Sequence, residues 1–299
     1  MTILTPDEIH RLHKPGVTGS SPVAASEIEI DHEPAEVHHG RPGVSTSQLK
    51  LLRESPAAFY DRFISKSPQG GYSSDALAYG TLLHLWAEVG ERQFWPRVVR
   101  PVDTLVTAAG AFNANGKKWL TTLEPDQIPL APADEAKLRP QTQRLLGCPA
   151  VQEILADIQD VEFNVQWKWN GHACRGRVDG RTSRFLFDWK STRDKHPSQQ
   201  WWRSAMEFGY HLQAAMYQHA GSLAGWPDEP LRFIVTSTVY PYDCCVRWLP
   251  QQVVEHGKRE CLRLLDELLM RRDFDMWESL DSQSASELYF PAYALKGLK

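Results

Sequence analysis

The sequence lacks any run of about 18 apolar residues, so no transmembrane helix is expected. It has no C-x-x-C pair; its five cysteines are Cys148, Cys174, Cys244, Cys245 and Cys261. That excludes the common zinc-ribbon spacing. Met1 to His13 carries Asp7, Glu8 and Arg11 and no apolar stretch, which does not read as a signal peptide. An odd cysteine count without a secretion signal points to reduced thiols and a cytoplasmic protein. No internal repeat is visible. A strong excess of one charge is also missing. The 33 basic and 37 acidic residues leave −4, which argues against coating nucleic acid by bulk charge but leaves room for a local basic groove. What remains is ordinary globular composition: 299 residues, 42% apolar and 23% charged. Wholesale disorder and collagen-like repeats are excluded, and one decorated α/β domain fits as well as two domains.

Residues 1 to about 43 differ from the rest. Between Met1 and Gly40 seven acids stand against Arg11 and Lys14, with no aromatic residue and many Gly, Ser and Pro. Such a segment buries too little apolar surface to offset its ordering entropy, and an acidic, disordered arm is expected. His32, His38 and His39 invite a metal cluster, but a solvated tail is the simpler reading. The folded domain is expected over 44–299. Ser45 to Gln48 reads as a capping box, opening a helix or a broken helix pair around Pro56. A Gly/Ser loop (69–74) precedes a helix over about 75–89, with Leu77, Thr81, His84 and Glu88 on one stripe. Residues 101–150 are less legible, with helices expected near 117–120 and 135–146.

Residues 160–190 form the clearest β region. Val161, Phe163, Val165, Trp167 and Trp169 alternate with polar residues, predicting a strand with one buried face. Asn170-Gly171 is a type I′ hairpin signal. A returning strand runs from His172 to Asp179, and a third from Arg184 to Lys190. A helix over about 198–220, a hairpin from 231–238 to 244–249 and a helix over 253–270 follow.

The chemistry concentrates on the third strand. Asp188 and Lys190 are two apart, so both side chains share a face, while Phe185, Phe187 and Trp189 point the other way. Asp179 ends the neighbouring strand and can approach Asp188. Two converging carboxylates repel unless a proton or a cation relieves them. A hard divalent cation is the usual solution; Mg²⁺ takes one or two carboxylates and keeps waters for phosphate oxygens. Such an ion lowers the pKa of a bound water and offsets charge on a phosphoryl transition state. Lys190 would orient the nucleophile or stabilise that transition state. Taken alone, D-x-K is more often a surface ion pair.

Asp179 with Asp188-Trp189-Lys190 resembles the P-D…(D/E)-x-K signature of the restriction-endonuclease-like nuclease superfamily. Val178 stands where the signature has Pro. Tyr79-Gly80-Thr81-Leu82-Leu83-His84 looks like the G-x-x-x-H helix of the RecB and RecE branch, and Gln213-Ala214-Ala215-Met216-Tyr217 resembles its Q-x-x-x-Y helix. Ser45 to Leu49 through Ser55-Pro56 is similar to the start of RecE-type exonuclease domains. The resemblance spans about 44–220. It implies a restriction-endonuclease-like α/β core, a central mixed β-sheet flanked by helices with N-terminal helical additions. It implies a metal bound by His84, Asp179, Asp188 and the Trp189 carbonyl, with Mg²⁺ as the ion and Mn²⁺ as a substitute. It implies Lys190 as the catalytic lysine, and Gln213 and Tyr217 on a helix that supports it and contacts DNA. Glu162 stands where the branch often carries an acid, although a solvent-facing glutamate fits equally.

The activity implied is Mg-dependent exonuclease digestion of duplex DNA ends, from 5′ to 3′, in recombination. A single-strand annealing protein is the implied partner and a ring-shaped homo-oligomer the implied assembly. From Phe163 to Ala220, nine basic residues face four acids, a net of +5, and the rest of the chain carries −9. That asymmetry suits a polyanion reaching a carboxylate site. Trp201 and Trp202 could wedge against bases, but burial under the sheet is the simpler expectation. Two rivals remain open. One is a CRISPR-adaptation-type or other endonuclease of the same superfamily, although the cysteines do not fall in that branch's iron–sulfur pattern. The other is a non-catalytic DNA-binding domain on the same scaffold.

Overall fold

In the computed structural model, which describes residues 28–66, 75–124 and 126–278, a six-stranded sheet separates two hydrophobic cores. The strands, in spatial and chain order, are β1 (Ile28–Asp31), β2 (Ile158–Trp169), β3 (His172–Thr182), β4 (Leu186–Thr192), β5 (Arg232–Ser237) and β6 (Cys244–Arg247). All neighbours pair antiparallel except β4 and β5, which run parallel. A parallel pair needs a long crossover, and helices α5 (Pro197–Glu207) and α6 (Tyr210–Leu223) supply it. The expected mixed sheet flanked by helices is therefore observed.

One face of the sheet packs on α1 (Thr46–Glu54), α6 and α7 (Gln251–Phe274), around Phe163, Val165, Leu212, Phe233 and Leu264. The other packs on α2 (Asp75–Arg97), α3 (Pro132–Leu146) and α4 (Pro149–Ala156), around Leu83, Leu138, Phe187, Trp189 and Ile234. β4 feeds both cores, because Leu186 enters the first while Phe187 and Trp189 enter the second. Ser45 closes the capping box with Gln48. Ser55 and Pro56 start a further short helix, so the expected break at Pro56 is present. Asn170 and Gly171 both adopt left-handed φ, 46° and 83°, as a type I′ hairpin requires.

Two expectations need correction. Residues 28–43 were expected in the flexible arm, yet Ile28–Asp31 pairs with Asn164–Trp167 as an edge strand. Polar side chains tie this segment down: Asn164 Nδ2 donates to Asp31 Oδ1 (2.7 Å) and to the Glu33 carbonyl (2.8 Å). The Arg175 guanidinium reaches the His38 and Gly43 carbonyls. His32 pairs with Asp160. Residues 1–27, the 69–74 loop and the side chains of His39, Leu77, Thr81 and Glu88 lie outside what is described. Second, the single helix expected over 198–220 is two helices. Gly209, at φ 62°, turns the chain between them, where a β-carbon would also press on Arg53. Of the paired tryptophans, Trp201 is buried as expected, but Trp202 is 61% exposed.

Candidate active site

The site lies where β3 and β4 part. Only Gly180–Phe187 and Arg181–Leu186 pair between them. One step further the register sets Asp188 opposite Asp179, and the ladder stops. There the Asp179 carboxylate replaces a backbone partner: the Trp189 N–H donates to Asp179 Oδ2 at 2.7 Å. The strand ends are thus held apart by a side chain that carries charge.

His84 reaches this gap from α2. Its Nδ1 lies 3.6 Å from Asp179 Oδ2 and its Nε2 lies 3.1 Å from the Trp189 carbonyl oxygen. From the other side comes Glu162. Val161 pairs with Gly180 and Phe163 with Val178, so Glu162 stands opposite Asp179. Its φ of 49° is left-handed, which costs a non-glycine residue about 1–3 kcal/mol. Arg177 Nε donates to Glu162 Oε2 at 2.9 Å. His84, Glu162 and Asp179 each offer one ligand atom, all within 4.8 Å of one another. Directly opposed like charges destabilise a sheet, so this arrangement calls for a cation. An imidazole nitrogen, two carboxylates and an adjacent carbonyl form a donor set that a divalent ion accepts.

Asp188 sits beside this trio rather than in it. The carboxylate is 2% exposed; Gln213 Nε2 donates to its Oδ1 and Lys190 Nζ contacts its Oδ2. The two-residue spacing accounts for the Asp188–Lys190 pair, both side chains leaving β4 toward α6. Lys190 Nζ also lies 4.9 Å from the centroid of the Tyr210 ring. Tyr217, one turn after Gln213, donates from its hydroxyl to the Arg177 carbonyl at 2.5 Å. Gln213 and Tyr217 thus buttress Asp188 and β3. Support of Lys190 by either is indirect.

The electrostatics follow from burial. Asp179 is pushed up to about 6, first by burial and then by the Asp188 charge, against His84, Lys190 and the Trp189 N–H. Burial works to lower the Lys190 ammonium, but Asp188, Tyr210 and Asp179 outweigh it, and the net direction is up. Lys190 therefore stays an ammonium ion. Burial drives the Tyr217 hydroxyl well above the ordinary range, keeping it a neutral donor.

Two residues at the site escaped the sequence reasoning. Lys50, on α1, lies 4.8 Å from the same Tyr210 ring, and burial followed by repulsion from Lys190 lowers it to about 7. Both ammonium groups thus lie over the Tyr210 ring, which packs against the core. The signal for Lys50 was faint, a lysine two positions after the capping box. Beyond Lys190 a groove of about 510 Å³ opens, lined by Tyr79, Lys137, Ser191, Arg193 and Phe208 among others.

Sheet and site together define a protein of nuclease-like α/β fold. More closely, the chain belongs to the family of the PDDEXK-like domain of unknown function (DUF3799), whose model matches residues 45–276. No curated protein sequence matches it. A structural match is the crystal structure of a protein from Eubacterium rectale called "Putative exonuclease", at TM-score 0.56 and 14% identity. The match covers 88% of this chain and 97% of that one. It supports the fold. Among the described residues, no helix is long and apolar enough to cross a membrane.

Proposed function

We propose that the chain is a metal-dependent exonuclease of the RecE type, acting on phosphodiester bonds at duplex DNA ends in recombination. One observation carries this reading: His84, Glu162 and Asp179 converge within 4.8 Å beside the buried Asp188–Lys190 pair. Mg²⁺ is the expected ion, with Mn²⁺ as substitute, held by His84, Asp179, Glu162 and the Trp189 carbonyl, with Asp188 adjoining. Bound there, the ion offsets negative charge on the phosphate and lowers the pKa of water.

The chain's own residues do the rest. Lys190, held as an ammonium ion, donates to the phosphate oxygen on which charge grows, in a site with little water to screen it. Gln213 fixes the Asp188 carboxylate so that the Lys190 position is set. Arg177 holds Glu162 toward the metal ligands. Lys50 adds a second cation near the entering strand, and the basic excess from 163 to 220 draws the polyanion in. Digestion from 5′ ends, a ring-shaped homo-oligomer around DNA and transfer of the exposed 3′ strand to an annealing protein complete the proposal.

Incubation with Mg²⁺ and linear or covalently closed duplexes tests it. Linear DNA is expected to be degraded and closed circles spared, with Asp188→Ala inactive on both. Equal cutting of circles would replace the exonuclease reading with an endonuclease. No cutting with Mg²⁺ or Mn²⁺ would end the catalytic reading. End-labelled substrates decide polarity.

A further inference from the structure

A second cluster of ligand-type side chains lies between α6 and α7, outside the nuclease site. His211 opens α6, while His256 and Glu260 are one turn apart on α7. His211 Nε2 lies 2.8 Å from Glu260 Oε2, and His256 Nε2 lies 3.7 Å from the same oxygen. The imidazole rings stack at 5.7 Å between centroids. Gly257, between the two α7 ligands, brings the helices this close. A β-carbon there would sit 2.3 Å from the His211 carbonyl oxygen.

We propose that His211, His256 and Glu260 bind a zinc-like transition-metal ion that staples α6 to α7. Tetrahedral zinc with bonds of about 2.0–2.2 Å sets ligand atoms roughly 3.3–3.5 Å apart. The two separations, 2.8 and 3.7 Å, bracket that span, so small side-chain rotations seat the ion. Two imidazoles and one carboxylate form a donor set that selects zinc over Mg²⁺, which prefers oxygen. Accessibility is graded in the way an open site requires. The His211 side chain is 2% exposed, Glu260 17% and His256 57%, leaving the solvent side for entry and for a water as fourth ligand. Arg53 approaches Glu260 through Oε1, at 4.0 Å, leaving Oε2 to the histidines. Burial favours the neutral, ligating form of His211. The inference does not depend on the nuclease reading. The staple would act on the helix that carries Tyr210 and Gln213.

The test is calorimetric titration of metal-free, full-length protein with ZnCl₂, excess Mg²⁺ present. It is made in an Asp179→Asn background, so that zinc cannot report from the first site. One equivalent is expected to bind, with a rise in the thermal midpoint. Adding His256→Ala or Glu260→Gln should weaken binding by more than about tenfold and abolish the rise. His256 is exposed, so its variant should fold. Without zinc, His256→Ala in the otherwise native chain should retain full Mg²⁺-supported nuclease activity. Unchanged zinc affinity in both added variants, or no binding in the Asp179→Asn protein, would overturn the proposal.

Discussion

Asp179→Asn should make the metal-free protein more stable above pH 7 while abolishing its activity. Folding moves the carboxyl from 3.8 to about 6, chiefly by burial and then by repulsion from Asp188. A shift of about two units at 1.36 kcal/mol each is worth about 3 kcal/mol. The sign follows from linkage. A folded-state pKa above the unfolded value gives a contribution fully present below pH 3.8 and lost as pH rises through about 6. Wild type in EDTA therefore carries a penalty of up to about 3 kcal/mol at pH 8 that is absent at pH 3.8. Asparagine does not titrate, yet its carbonyl can still accept from the Trp189 N–H, although more weakly than a carboxylate. Urea unfolding of both proteins in EDTA from pH 4 to pH 8 measures the difference. The variant's advantage should grow with pH and level off above pH 7. A difference independent of pH would refute the argument, because Asp179 would then not be a desolvated carboxylate. Excess Mg²⁺ should stabilise wild type and leave the variant unmoved.

Lys190→Met should lower DNA cleavage by about 10²–10⁴-fold with DNA binding largely retained, as single-turnover assays and filter binding would show. It should also destabilise the fold by about 3–5 kcal/mol, since the buried Asp188 loses its cation; urea midpoints measure this. Lys50→Met should do the reverse, raising stability near pH 7 by roughly 1–3 kcal/mol because a desolvated ammonium is removed. Its affinity for duplex ends should fall and its salt dependence weaken. Gly180→Ala places a methyl 2.1 Å from the Phe187 ring, next to Asp179, so loss of stability and of activity together is expected in denaturation and cleavage assays.

Much of this architecture was legible because its local signals agree. The β2–β3 hairpin announced itself through strict alternation ending in Asn170-Gly171, and the capping box at Ser45 fixed the start of α1. That Asp188 and Lys190 leave one face of the strand followed from strand period alone. What was not legible depends on distant partners. Ile28–Asp31 has only four residues in an acidic, aromatic-free setting, and Arg175 and Asn164, more than 130 positions away, hold the segment in place. Glu162 was left between a site acid and a solvent-facing residue, because alternation cannot reveal a left-handed backbone inside a strand. Lys50 and Lys190 both lie over the ring of Tyr210, on a helix whose start is set by the turn at Gly209. Gln213 was placed on a helix supporting Lys190, without the contact through which it does so. It holds Asp188, and its effect on Lys190 passes through that carboxylate.

The charges at the site do not cancel evenly, and this has a measurable consequence. Lys190 contacts Asp188, and Arg177 bonds Glu162. Asp179 is left facing an imidazole and a backbone N–H, and it is the carboxyl pushed up to about 6. Below that pH a proton does for Asp179 what a cation does above it. Metal and proton therefore compete for the same group, and on metal binding at pH 5 Asp179 should contribute close to one released proton, beside any that the ligand His84 gives up. Apparent Mn²⁺ affinity should fall nearly tenfold per pH unit below about 6 and level off above pH 7. Titration calorimetry in buffers of different ionisation enthalpy reads the released proton directly. In Asp179→Asn the linkage should vanish along with the tight site. If wild type released no proton at pH 5 yet bound Mn²⁺, Asp179 would already be ionised. The assignment of Lys190 to Asp188 and Arg177 to Glu162, with Asp179 left over, would then be the wrong account of the site.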